Sequence, residues 1–172
     1  MEFEKLIAER YSVRQFQPEH LPQAVIDKIL DAGHKAPTGC NYQPQRILVL
    51  NTDESIEKLK NCTKCHFHAP TAMLVCHNKE ESWVRKYDGA LSSPVDAAIV
   101  ATHMMLAAHD NGIGSCWVMH FDPSAMRETY RIPDNIEPVA LLVMGYPSED
   151  AKPLDLHHQT RPMDEVAVYD AF

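Results

Sequence analysis

The chain has 172 residues, 45 % hydrophobic and 23 % charged, which is the usage of one folded domain and excludes a disordered chain. Sixteen Lys and Arg against 24 Asp and Glu leave a formal charge of −8, so nucleic acid is not an expected partner. The five cysteines (Cys40, Cys62, Cys65, Cys76, Cys116) are odd in number and scattered, which excludes a secreted disulfide framework. No apolar run approaches the ~18 residues of a membrane span. The opening MEFEKLIAER has no apolar signal core, and a cytoplasmic protein is the expectation.

Phe3, Leu6 and Ile7 form a short helical stripe ending near Arg10, followed by a polar turn to Pro18. Residues 21–34 carry Val25, Ile26, Ile29 and Leu30 at helical spacing, with Gly33 read as a stop signal. KAPTGCNYQPQ is a loop by composition. Residues 47–50 look like a buried strand, 53–59 a helix with Asp53 as its N-cap, and 72–76 a second strand. After the weakly patterned stretch 78–93, residues 94–109 make the strongest helix, with proline at its start and Asn111-Gly112 at its end. Residues 115–120 and 139–144 read as strands, with a helix at 123–130 between them. The alternation is too irregular for repeated βαβ units, so the expected class is α+β.

The helix at 94–109 is apolar nearly all round. Val95, Ile99, Thr102 and Leu106 share one face; Ala97, Val100, Ala101, Met104 and Ala108 share the other. Such a helix is buried on every side. It is either a central core helix, or it lies on the sheet with its small-residue face on a symmetry mate. The tail after Gly145-Tyr146-Pro147 is long for a loop within a compact domain. Its Val166-Ala167-Val168-Tyr169 segment suits a strand added to another sheet's edge. Together these features favour a homodimer, with residues 147–172 as an extension docking on the partner subunit of a single domain.

Four segments carry candidate chemistry. Cys62-Thr63-Lys64-Cys65-His66 matches a haem-attachment pattern, and with His68 and His77 it resembles part of a zinc site. The favoured reading is an ordinary turn before a strand, with no metal. Gly112-Ile113-Gly114 follows a helix, the wrong context for a dinucleotide fingerprint. It suits a helix C-terminal turn, or a surface without Cβ atoms that a flat ligand can approach. Arg10-Tyr11-Ser12-Val13-Arg14 sets two guanidinium groups and a hydroxyl within five residues, a donor set for phosphate or simply a solvated turn. Thr38-Gly39-Cys40-Asn41-Tyr42-Gln43-Pro44 gathers amides and hydroxyls in a proline-bounded loop, suited to a heterocycle or to a plain connector.

Their order along the chain says more than any one segment. Arg-x-Ser-x-Arg, then Ala-Pro-Thr-x-x-Asn-x-Gln-Pro, then an Ala-rich helix running into Gly-Ile-Gly-Ser-Cys-Trp-Val and Phe121-Asp122-Pro123, resembles the nitroreductase family of flavoproteins. The Pro138-Val139-Ala140 to Met144-Gly145-Tyr146-Pro147 strand and a late Arg161-Pro162 complete the resemblance, which covers residues 3–170. It implies a three-layer α+β fold with a mixed, mostly antiparallel sheet, and an intertwined homodimer with FMN sites at the subunit interface. Arg10, Tyr11, Ser12 and Arg14 are then the residues that hold FMN. Pro37, Thr38, Gly39, Asn41 and Gln43 come from the other subunit. Ile113, Gly114 and Ser115 lie by the isoalloxazine, with the backbone near Gly114 as donor to the flavin edge. Arg161 reaches the phosphate.

The implied activity is ping-pong hydride transfer from NADH or NADPH through FMN to a nitroaromatic, quinone or similar small acceptor, with no catalytic side chain assigned. Alternatives are a reductive dehalogenase or enone reductase on the same scaffold, or a non-enzymatic flavin or metal module using Cys62, Cys65, His66 and His68. The chain departs from the family pattern in Thr38 for serine, in Gln45-Arg46 where an aromatic often stands, and in a short 83–94 stretch where many relatives insert helices.

Overall fold

A computed structural model describes residues 2–172. Its elements are α1 (Phe3–Glu9), α2 (Gln23–His34), β1 (Gln45–Leu50), α3 (Asp53–Leu59), β2 (Thr71–Asn78), α4 (Ser93–Asp110), β3 (Gly114–Val118), α5 (Pro123–Tyr130), β4 (Ile136–Gly145) and the single turn α6 (Met163–Val166). The strands pair antiparallel in the order β1-β2-β4-β3. A parallel bridge between Ser12 and Ser115 lies beside β3 and gives that edge its mixed character. The architecture is α+β, with the sheet between two helical layers.

The layering follows from the strands' composition. β2 is buried along its whole length, and its run of apolar residues is what a strand covered on both faces requires. Met73, Val75, Leu142 and Met144 pack with Ile26 and Ile29 of α2 and Val100 and Met104 of α4. Ala72, Leu74, Leu141 and Val143 face the other way, onto Leu59 of α3 and Met126 of α5. Alternation along two neighbouring strands therefore builds two cores from one sheet.

The structure corrects four local expectations. Gly33 does not stop α2; it lies inside the helix, where an added Cβ would stand 2.7 Å from Met104 Cγ. Its missing side chain lets α2 approach α4 closely. The cap of α3 is Thr52, whose hydroxyl accepts the Ser55 N–H while Ser55 Oγ accepts the Thr52 N–H. Asp53 instead faces His20 Nε2 at 2.9 Å. On α4, the small-residue face of Ala97, Val100, Ala101, Met104 and Ala108 packs on the chain's own core, so it cannot meet a symmetry mate. The face left uncovered is the other one, with Val95 61 % exposed. In the tail, residues 163–166 form a helical turn rather than the start of a strand, and Val168 and Tyr169 are exposed.

The first half of the tail is tied to the body of the chain. Gln17 N–H donates to Tyr146 O, Ser148 N–H donates to Gln15 O, and Phe16 bridges Pro147, so the chain runs back along its own N-terminal segment. Beyond residue 158 it lies exposed on the surface, apart from half-buried Ala167.

Removing a hydroxyl N-cap costs about 1 kcal/mol. Thr52→Ala is expected to lower stability by about that amount in urea denaturation, because the Thr52 hydroxyl holds the first turn of α3; an unchanged midpoint would place the cap elsewhere.

Candidate functional site

Two of the sequence segments meet at the outer edge of β3. Val13 is buried, and its N–H donates to Ser115 O at 2.9 Å, which lays residues 12–13 alongside the strand. Gly114 makes this possible. An added Cβ would fall 2.7 Å from Val13 Cγ2 and 2.9 Å from both Val13 Cβ and Cγ1. The turn ahead of it closes α4, with Gly112 at φ +75°, Gly112 N–H on His109 O and Ile113 N–H on Ala108 O. That is the Schellman arrangement. Gly112 thus serves the helix end and Gly114 serves the close approach, while Ile113 and Ser115 on either side of Gly114 are buried.

Arg10, Tyr11, Ser12 and Arg14 line a cleft of about 190 Å³, closed on its other side by Leu154, Leu156 and His157. Tyr11 fixes this wall. Its hydroxyl donates to Ala151 O at 3.2 Å and its ring meets His157 edge-on at 6.3 Å. Arg14 donates to Ser12 O at 3.1 Å and lies over the Phe67 ring at 5.8 Å. Among the described residues, neither Arg10 nor Arg14 is ion-paired with a carboxylate. Two guanidinium groups without a counter-ion, beside a serine hydroxyl, leave donors in place for an anionic ligand.

The third segment stands apart. Thr38 Oγ1 accepts the Gln43 N–H at 3.1 Å, and Gly39 N–H donates to Asp96 Oδ1 at 2.8 Å. Between these anchors Cys40, Asn41 and Gln43 adopt left-handed conformations (φ 48°, 60° and 50°). Pro37, Asn41 and Gln43 are exposed, while Thr38 and Gly39 are half-buried. This turn leads into Gln45, which pairs with His77, which pairs with Glu137. Gly114 pairs with Gly145 at the other end of the sheet and on the opposite edge strand. The two clusters therefore occupy diagonal corners, with α4 running between them. At 1.5 Å per residue, about 20 Å of helix axis separates Asp96 from Asp110.

Arg161 joins neither corner; its side chain is 80 % exposed and 3.6 Å from Glu165. The short 83–94 stretch forms a small hairpin with a Val84–Leu91 bridge, and Trp83 and Ser92 pack on Gly39. The Cys62–His66 segment lies between α3 and β2 and packs against α5 and the residues ahead of it. Cys62 is buried near Thr129 Oγ1, Thr63 donates to His120 O at 2.5 Å, and Asp122 N–H donates to Cys62 O at 2.8 Å. Among the described residues no group of three or more His, Cys, Asp or Glu is placed to hold a metal ion.

Asp96 and Ser92 are absent from the sequence reading. A signal for Asp96 exists: it is the sole acid in α4 before its last residue, on a helix otherwise apolar all round. Burial pushes the Cys116 thiol up despite Arg14 nearby, and the Cys76 thiol up to about 12, so both stay protonated.

Replacing Gly114 by alanine must push Val13 off the strand. We expect a loss of about 1–3 kcal/mol in stability, with faster hydrogen exchange at the Val13 amide; wild-type exchange there would refute the close packing. His77 and His109 are both held below the usual imidazole range, by desolvation foremost. Near pH 6.5 the unfolded chain therefore binds more protons than the folded one, so stability is full above that pH and falls as pH drops below it. A urea midpoint that stays flat from pH 7.5 to about 5.5 would contradict this.

The Nitroreductase family model matches residues 7–86 and 66–146. A nitroreductase family protein of Clostridium difficile 630 superimposes with a TM-score of 0.93 over 100 % of both chains at 39 % identity. A protein of Methanothermobacter thermautotrophicus that carries the name NADH dehydrogenase/NAD(P)H nitroreductase is 29 % identical over 171 residues, 94 % of this chain and 85 % of its own. A structure from Desulfovibrio desulfuricans, solved in complex with FMN, covers 100 % of this chain and 98 % of its own, with a TM-score of 0.81 at 24 % identity. The ordered motifs, the three-layer fold and these likenesses agree, and the chain belongs to the nitroreductase family of oxidoreductases.

Proposed function

We propose that the protein is a homodimeric, FMN-dependent NAD(P)H oxidoreductase whose two flavin sites are each built from opposite corners of two chains. The observation that carries this reading is the separation of the two clusters by the length of α4. One chain cannot bring Arg10 and Thr38 to a single small ligand. The cleft at Arg10, about 190 Å³, is also smaller than the ~300 Å³ at which ordinary small-molecule sites begin. Each corner is half a site.

A two-fold axis supplies the other half. The less buried face of α4, with Val95 and Thr102 exposed and Ile99 and Leu106 half-buried, lies between the corners, and exposed Phe3 and Ile7 of α1 extend the apolar surface nearby. Pairing this face with its own copy in antiparallel sense sets the Asp96 end of one helix beside the Asp110 end of the other. The Pro37–Gln43 residues of one chain then stand next to the Arg10 cleft of its mate. The exposed apolar residues of the tail, Met163, Val166, Val168, Tyr169 and Phe172, are the part of the 147–172 extension suited to docking on that mate.

Within such a site Arg10, Ser12 and Arg14 hold the phosphate, with Tyr11 fixing the wall behind them and Arg161 reaching in from the tail. Ile113, Gly114 and Ser115 present backbone to the flavin edge, because a glycine there leaves a flat surface. Pro37, Thr38, Gly39, Asn41 and Gln43 of the second chain flank the ring. FMN supplies the hydride-accepting and hydride-donating centre when bound, and the chain supplies binding, orientation and electrostatics. NADH or NADPH is the reductant. The acceptor is a small electron-poor molecule of the nitroaromatic or quinone class, with ping-pong kinetics because donor and acceptor use one place in turn.

The purified protein is expected to be a yellow dimer whose flavin band bleaches anaerobically with NADH or NADPH. Arg10→Ala, which deletes a charge-assisted contact, should weaken FMN binding about tenfold or more. A colourless protein that takes up no added FMN overturns the reading.

A further inference from the structure

Asp96 is 3 % exposed, yet both of its carboxylate oxygens are engaged. Oδ1 accepts the Gly39 N–H at 2.8 Å and Oδ2 accepts the Ser92 hydroxyl at 2.8 Å. Ser92 is the N-cap residue of α4, but its side chain makes no capping bond to the helix. Its hydroxyl is spent on the carboxylate instead. Gly39 is pressed against the same pair, since an added Cβ would stand 2.8 Å from Ser92 Oγ. Ser92, Asp96 and Gly39 thus form one tether from the start of a rigid helix to the start of a loop.

The loop needs that tether. Residues with a Cβ disfavour left-handed backbone, and Cys40, Asn41 and Gln43 all adopt it within four positions directly after Gly39. Such a conformation persists only when its surroundings impose it. Thr38 Oγ1 fixes the far end through the Gln43 N–H, and Asp96 fixes the near end. The pull at Asp96 is a hydrogen bond to a buried carboxylate, stronger than one between neutral groups.

We propose that Asp96 is a positioning residue for the flavin site: it sets the shape of the 38–43 turn that one chain presents to the cofactor held by its mate. This rests on the functional reading above. Asp96 touches neither cofactor nor substrate; it acts through the Gly39 backbone. Neither the sequence motifs nor the family likeness assigns it a role.

The test uses the intact dimer stripped of FMN and titrated with FMN by fluorescence quenching, alongside hydrogen exchange at the Gly39 amide. Asp96→Ala is expected to raise the FMN Kd about tenfold and to speed Gly39 exchange at least as much before any FMN is added. Asp96→Asn keeps an oxygen for Gly39 and should recover affinity to within about threefold of wild type, at a similar melting temperature. In steady state the Ala variant at saturating FMN should change kcat and KM for the acceptor while the Asn variant changes neither.

If Asp96→Ala binds FMN like wild type while Arg10→Ala does not, the proposal falls and the flavin reading stands. If the wild-type chain itself takes up no FMN, both fall. Should Asp96→Ala fail to fold, Ser92→Ala removes only the second donor. That variant frees Oδ2 and loosens the carboxylate that holds Gly39, so Gly39 exchange should quicken and the FMN Kd rise about threefold; unchanged values of both overturn the proposal.

Discussion

The structure depends on the seating of one helix. α4 presses Ala97, Val100, Ala101, Met104 and Ala108 into the core between the sheet and α2, and the small residues let it sit close. Its direction and position are then fixed by packing at interior density, where a shift of even a methyl group is felt. Everything of functional interest hangs from its two ends. At the start, Ser92 and Asp96 hold Gly39; at the finish, the Gly112 turn delivers Gly114 to Val13.

The two corners use different physics to reach order. At Arg10 the backbone is held by the edge of a sheet, through Val13 and Ser115, and the side chains are left to do the binding. Their charge is conspicuous in a chain of net charge −8. Positive groups kept free of carboxylate partners in such a chain mark a place where an anion is expected. At Gly39 the reverse holds. Exposed side chains matter less than a strained backbone, and a buried carboxylate is the agent that maintains it. Near the first corner, burial raises the Cys116 thiol above its usual range and keeps it protonated.

Most elements were readable from local pattern because their causes are local. α5 was placed at its observed bounds, 123–130, and β2 and β4 announced themselves as unbroken apolar runs. Contacts across the fold were not readable. Gly33 looks like a helix stop until Met104 is seen against it, and nothing in one chain's periodicity says which face of an all-apolar helix meets the sheet. The order of the motifs singled out the Arg10 and Gly114 segments, and the fold brings those two together. Asp96 escaped notice because its partner is a backbone N–H 57 residues away, which leaves no spacing to detect.

The helix that separates the two clusters would also couple them in a dimer. In the proposed two-fold pair, the distance from one chain's Thr38 to its mate's Arg10 depends on how the two copies of α4 lie against each other. It does not depend on any loop spanning the gap. A displacement of α4 along its axis moves the Asp96 tether and the Gly114 turn together, in the same sense within one chain and in opposite senses across the two-fold. The two sites of the dimer would then open or close equally, since each contains one end of each helix. In that pair the α4 face with exposed Val95 and half-buried Ile99 would therefore be as much a part of the site's geometry as the arginines, although it would touch no ligand.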